Sequence, residues 1–349
     1  MSLLSQFLRR TDLAILSGIG PDRAPAANVF VIGVTMIEHS VARCLSFHAA
    51  YRCGRSGACC SAGWTIPFDR HELDVARALP LHRGTFELLD VGGRARLHED
   101  GRCTFLDSDA DGPLCDIHRA GGHAALPLAC RMFPRQVLHD TRGTFISLSH
   151  FCPTAAALLF EDEGPVAIVD APAPLAPPGD DRALDGLDAR DVWPPVLRPG
   201  VMMDLDSFAL WERHGVEVLT RDGIAPRVAL DALARATTAI AAWAPDGGTP
   251  LEHAVRDAFG MLAPPPTAIL EPHDGAVKRW LAARLFGNWI AYQGNALRTL
   301  VRYLRACHDI FQIELARDGN PREAIRRSDH LIVHQSSSQH MATLLNDCP

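Results

Sequence analysis

Seven cysteines, Cys53, Cys59, Cys60, Cys103, Cys115, Cys130 and Cys152, are the residues of this chain whose type and spacing point most directly to chemistry. Thiolates are soft donors, and several delivered by one short, loop-rich segment suit zinc or an iron–sulfur centre. A tetrahedral zinc or one [4Fe–4S] cluster takes about four protein ligands. Any four of the seven would suffice, and the surplus leans toward a cluster with further thiols around it. Eight of the ten cysteines, these seven and Cys44, fall within the first 152 residues, and only Cys307 and Cys348 lie beyond. The neighbours Cys59 and Cys60 can also be read as one ligand and one small buried hydrophobe, because adjacent residues on an extended chain face opposite ways. His118 and His150 stand three and two positions from Cys115 and Cys152, close enough to replace a thiol. Arg131 and Arg135, just after Cys130, are expected to neutralise a cluster or clamp a substrate carboxylate, the alternative being a pair of surface ion-pairing arginines.

The elements that must position these residues fall into four stretches. Residues 1–43 read as an N-terminal extension, with Met36 as an alternative start. Residues 44–163 form the cysteine-rich module, where the alternation around Asp100-Gly101 signals a hairpin. Residues 164–200 are a proline-rich linker expected to lack regular structure. Residues 201–349 are a mostly helical domain: Thr249-Pro250-Leu251-Glu252 reads as a capping box opening a helix to about Leu262. Apolar spacing predicts helix from Gly275 to Arg317 and again from Pro321 to Leu345. The expected class is α+β, a small loop- and hairpin-rich cysteine module followed by a mostly helical domain.

The 349 residues carry 34 basic and 41 acidic side chains, a net charge of -7. That balance argues against binding nucleic acid through the bulk field. Lys278 is the one lysine. A P-loop is therefore excluded, and a Schiff-base enzyme has almost no candidate. No apolar run reaches the roughly 18 residues of a membrane span, and the N-terminus makes a poor signal peptide. The expectation is a cytoplasmic, reduced protein without membrane or nucleic-acid partners, whose clustered thiols hold metal rather than form disulfides.

Five elements in order, Cys59-Cys60 followed by Gly-Trp64-Thr-Ile-Pro, Cys103-Thr-Phe-Leu-Asp, Cys115-Asp-Ile-His118, Cys130-Arg-Met-Phe-Pro-Arg135 and Cys152-Pro, resemble the YkgJ-like CxxCxxCC cysteine-cluster proteins, which include the flagellin lysine N-methylase FliB. The resemblance covers residues 46–160. It implies a zinc- or iron-chelating module and, in FliB-like members, an iron–sulfur cluster with S-adenosylmethionine-dependent methyl transfer to a protein or peptide side chain. One position departs from the pattern: Ser56 stands where the family has a cysteine between Cys53 and Cys59. The usual C-x3-C-x2-C signature of radical adenosylmethionine enzymes is absent. The other functional classes kept open are a non-catalytic zinc or iron module and an electron-transfer or redox-sensing protein. Two further motifs carry less. Asp90-Val-Gly-Gly-Arg94 resembles a Rossmann-type glycine turn but reads as a hairpin. His330 and His334 have metal-gripping spacing but read as a solvated or core-edge face.

Overall fold

The protein is described here by a computed structural model covering residues 42–110, 112–161, 164–171, 186–263, 269–294 and 296–346. The expectations for residues 1–41, for the prolines at 264–266 and for Cys348 lie outside the described residues. The chain enters through β1 (Ala42–Leu45) and a short helix, α1 (Ser46–Ala49). A loop carries Cys53 to a tight turn at Cys59–Ser61, followed by β2 (Pro67–Phe68) and α2 (Arg70–Arg77). Asp69 opens α2 with a reciprocal cap: its carboxylate accepts from Glu72 N at 2.7 Å while Glu72 accepts from Asp69 N at 3.0 Å.

Next come β3 (Phe86–Leu88) and β4 (Gly93–Ala95), which pair antiparallel, then the hairpin β5 (Leu106–Asp109) and β6 (Gly112–Cys115). The glycine turn before β4 is a hairpin turn, as read: Gly92 has φ +77°, and a Cβ there would stand 2.2 Å from the Phe68 carbonyl oxygen. Short helices α3 (Asp116–Gly121) and α4 (Leu128–Met132) lead to the long hairpin β7 (Arg135–Asp140) and β8 (Gly143–Leu148), then to α5 (Pro153–Glu161).

β7, β8 and β1 are the inner strands of a five-stranded sheet whose two edge strands come from the stretch expected to be irregular. β9 (Ile168–Asp170) runs antiparallel to β1, and β10 (Leu187–Asp188) runs parallel to β7, in the order β10-β7-β8-β1-β9. Prolines bar a central strand, but a short edge strand pairs on one side only, so flanking prolines cost it no ladder bond. A further two-stranded ribbon joins β11 (Val196–Arg198) to β12 (Val201–Met202).

The rest is helical: α6 (Leu205–Thr220), α7 (Pro226–Ala241), α8 (Leu251–Gly260), α9 (Asp274–Leu285), α10 (Ile290–Gln293), α11 (Leu297–Asp318), α12 (Pro321–Asp329), a wide π-type turn at His330–His334, and α13 (Ser338–Asn346). The fold is thus mixed α+β. Three helical stretches differ from expectation, the one expected over 321–345 passing into the π-type turn, stopping at His334 and resuming at Ser338. Thr249 does not cap α8; Pro250 occupies the cap position with no side-chain bond, and the Thr249 carbonyl instead accepts from Trp243 Nε1 at 2.7 Å. The helix expected over 275–317 breaks twice, at Gly287 with φ +59° and near Gly294.

Two cores result. The larger joins the sheet, through Leu45, Leu138 and Phe145, and α1, through Phe47, to Trp211, Trp280, Leu285 and Phe311 of the later helices. The smaller belongs to the cysteine segment, where Phe68, Leu73, Phe105 and Ile117 pack with Cys103 and against Cys60, Cys115 and Cys130. A buried ion network ties sheet to helices. Arg142 lies between the rings of Phe145 (4.4 Å) and Phe208 (5.0 Å) and pairs with Asp140 at 2.6 Å and Glu212 at 3.6 Å. Lys278 is buried and donates from Nζ to the Arg221 carbonyl just past α6, at 2.5 Å. Among the described residues, no helix is long and apolar enough to cross a membrane.

Candidate metal centre

The seven candidate cysteines separate into two sets. Cys59, Cys103, Cys115 and Cys130 each lie within electrostatic reach of the other three. Cys60 joins them, its sulfur 3.9 Å from that of Cys59 and within reach of Cys115 and Cys130. Four local structures deliver these five sulfurs. The tight turn supplies Cys59 and Cys60; the loop after the Gly101 turn supplies Cys103, whose N–H donates to the Cys60 carbonyl at 2.7 Å. The end of β6 supplies Cys115, and α4 supplies Cys130. Two buried carboxylates brace this frame. Asp116 accepts from His82 N and Arg83 N at 2.6 and 2.9 Å. Glu72 accepts from Leu128 N at 2.8 Å and pairs with Arg131 at 3.7 Å.

Arg131 is thereby a buried strut between α2 and the Cys130 helix, so neither the exposed pair nor a clamp for substrate describes its position. Arg135 does face the cavity described below, its guanidinium 5.7 Å above the Tyr51 ring.

Burial and neighbouring thiols push the thiols of Cys103, to about 11, Cys115 and Cys130 upward. Within the adjacent pair, the hydrogen bond between the sulfurs lowers Cys59 and raises Cys60. Among the described residues no three Cys, His, Asp or Glu side chains meet at ligating distance of one point. The five sulfurs share a neighbourhood, not a closed shell. Their chemistry nevertheless fits a thiophilic metal: five soft donors, none in a disulfide, converge on one half-buried region.

Cys53 and Cys152 form the second set. They flank Tyr51, whose hydroxyl lies 3.7 Å from Cys152 Sγ, and Gly54 N donates to Thr154 Oγ1 at 3.2 Å, tying the Cys53 loop to α5. Ser56, at the position where the motif has cysteine, faces the cavity and accepts from Ala58 N at 3.4 Å.

His118 lines the same cavity near Arg55, half-buried, with burial lowering its pKa. His150 is fully buried and engaged with His48 and Asp329, away from the five sulfurs. His334 is half-buried, its ring centroid 4.4 Å from Trp64 and its Nε2 2.7 Å from Ser149 Oγ; His330 packs on Phe151 at 4.8 Å.

A cavity of about 1020 Å³ unites the seven thiols with Ser56, His118, Arg135 and His334, while His150 and His330 lie outside its lining. The cysteine segment contributes all seven thiols, Trp64 and Phe133; the sheet contributes Gln136, Ile146 and Leu148; the helical half contributes Arg284, Trp289, Tyr303 and His334. Sequence reasoning passed over His48, Tyr51, Trp64, Arg284 and Tyr303. Their partners lie too far along the chain for any local spacing to signal, and only Trp64 lies within one of the cysteine motifs.

Residues 52–153 match the model of the CxxCxxCC family, described as a "Putative zinc- or iron-chelating domain". This span is less than half of the chain and contains every cysteine of both sets. No curated protein and no solved structure matches the chain.

Proposed function

We propose that four of Cys59, Cys60, Cys103, Cys115 and Cys130 hold iron as one [4Fe–4S] cluster, and that the protein is an enzyme that modifies a protein or peptide side chain by S-adenosylmethionine-dependent methyl transfer. The observation carrying this reading is the shared cavity of about 1020 Å³, walled by the thiols on one side and by sheet and helical residues on the other. That volume lies at the upper end of small-ligand sites, enough for adenosylmethionine and an extended side chain. A metal that merely staples a fold needs no such space beside it. The methyl-transfer chemistry itself comes from the motif resemblance to FliB-like proteins. An iron–sulfur cluster held there would supply one-electron chemistry and an electrophilic iron. The chain's own part is to bind and to exclude water: Trp64, Phe133 and Tyr51 supply apolar wall, and Arg135 and Arg284 supply positive charge.

Elemental analysis of anaerobically purified protein, with a transfer assay using radiolabelled adenosylmethionine and lysine peptides, tests the reading. About four irons with matching sulfide per chain and label in the peptide support it. One zinc without sulfide favours a second reading, a structural zinc module. That reading also has an observation behind it, since Cys103 is buried in the small core and Cys60, Cys115 and Cys130 pack against it.

A further inference from the structure

Arg135 opens β7 opposite Leu148 of β8, and both residues line the cavity. Its guanidinium is held from two sides: the Tyr51 ring lies 5.7 Å away, and Nη1 donates to the Arg131 carbonyl at 3.5 Å. Among the described residues Nε and Nη2 find no acceptor and the side chain has no carboxylate partner, yet neither nitrogen is sealed off. This edge of the guanidinium therefore stands empty and accessible on the cavity wall.

It is the edge with which this chain grips carboxylates elsewhere. Arg94 spreads Nε and Nη2 over both oxygens of Glu87, at 2.9 and 2.7 Å, and Arg190 does the same to Asp188, at 2.9 and 2.5 Å. Two parallel N–H groups match a carboxylate in spacing and direction. Burial disfavours the bare Arg135 cation, so an anion in the fork is stabilising. The wall has none to spare. Among the described residues lining the cavity, the carboxylates are Asp69 and Glu72, which are spent on capping α2 and on Leu128 and Arg131. The ionisable groups acting on Arg135 are Tyr51, Cys53 and Arg52, with none of the five sulfurs among them. Of the roles expected from sequence, clamping a carboxylate fits this position, and neutralising a cluster does not.

We infer that the Nε/Nη2 edge of Arg135 is the carboxylate subsite of the cavity, for a ligand that sets its carboxylate in this fork and its apolar part on Tyr51, Phe133 and Leu148. Those three side chains pack together with Cys152 in one small cluster. Arg52 adds a second positive charge close by, its Nη1 donating to the Tyr51 carbonyl at 2.9 Å. In the methyl-transfer reading the carboxylate belongs to the amino-acid end of adenosylmethionine. That identification rests on the reading; the fork does not.

Titration calorimetry on the full chain tests this with 4-phenylbutyrate and its amide, which share a shape and differ in charge. The acid is expected to bind the wild type about tenfold more tightly than the amide. Arg135→Gln should abolish that preference, and Arg135→Lys, a point charge without a fork, should keep only part of it. Phenylglyoxal labelling of the unaltered chain, read by peptide mapping, depends on no variant's folding: the acid should shield Arg135 and the amide should not. Equal binding of acid and amide by the wild type overturns the inference, as does an acid that leaves Arg135 labelling unchanged. S-Adenosylhomocysteine is the third probe. If the acid shields Arg135 and S-adenosylhomocysteine does not, the methyl-transfer reading fails and the subsite stands.

Discussion

The sulfurs of Cys59 and Cys60 lie 3.9 Å apart although the two residues are neighbours in the chain. On an extended strand they would point to opposite faces, and one of them would be lost to the site. The tight turn at Cys59–Ser61 bends the backbone enough to present both. Together with the mutual reach of Cys59, Cys103, Cys115 and Cys130, this divides the cysteines into ligand candidates and bystanders, and the division can be measured. Serine at Cys59, Cys103, Cys115 or Cys130 is expected to lower bound metal about tenfold or more, because a hydroxyl is a poor ligand at neutral pH. Serine at Cys53 or Cys152 is expected to leave it near the wild-type level. Equal losses at both sets, read by metal analysis of the purified variants, would erase the division.

Acid should weaken the fold well before the carboxylates protonate. Burial holds the His334 imidazole at about 4 and pushes His48 well below its ordinary value. Unfolded histidines titrate near 6.5, so the unfolded chain takes up these protons first. The stabilisation is complete above about pH 6.5 and is lost as the pH falls toward 4, amounting to roughly 2–3 kcal/mol for His334. Urea midpoints at pH 7, 5.5 and 4.5 should therefore fall in that order, and His334→Phe should flatten the slope. A midpoint that holds steady or rises on acidification contradicts the assignment.

Removing Arg142 should be among the costlier single changes. Its guanidinium neutralises Asp140 and Glu212, which are 0% and 2% exposed. Alanine there leaves two buried carboxylates facing each other, a loss of about 3–5 kcal/mol. Lysine should not restore the loss, since it cannot lie flat between the Phe145 and Phe208 rings while bonding both acids. Chemical denaturation of R142A and R142K checks both statements; a lysine variant as stable as wild type would disprove the stacking argument.

Trp280→Phe isolates one hydrogen bond to a buried charge. The indole donates to Asp329 Oδ1 at 2.7 Å, and bonds to charged groups are worth about 1.5–3 kcal/mol. The variant should lose about that much stability by urea denaturation, with a small addition for the void left by the missing ring. A change under about 0.5 kcal/mol would mean the carboxylate has other support.

Local signals carried the chemistry and much of the helical half. The cysteines, the hairpin at Asp100-Gly101 and the glycine turn at Gly92 were legible because each rests on a few adjacent residues. The α+β class followed from counting such pieces. What sequence could not supply was anything set by long-range pairing. The strands Ile168–Asp170 and Leu187–Asp188 lie in proline-rich surroundings and gain their form only as edges of a sheet built elsewhere. The split between the five sulfurs and Cys53 with Cys152 depends on where Tyr51 and α5 fall. His48, His150 and Asp329 are separated by up to 281 positions, so no periodicity could have joined them. Arg131 and Arg135 looked alike in sequence, yet one is locked to Glu72 and the other faces open space.

Lys278 spends its ammonium on the Arg221 carbonyl inside the fold. The protein therefore presents no lysine amine to its surroundings while folded. If it does methylate lysines, it has no accessible lysine on itself to modify, and its own chain cannot compete with a substrate. For the experimenter, an amine-acylating reagent finds Lys278 only when α9 opens. Its rate of labelling becomes a single-residue clock for that opening.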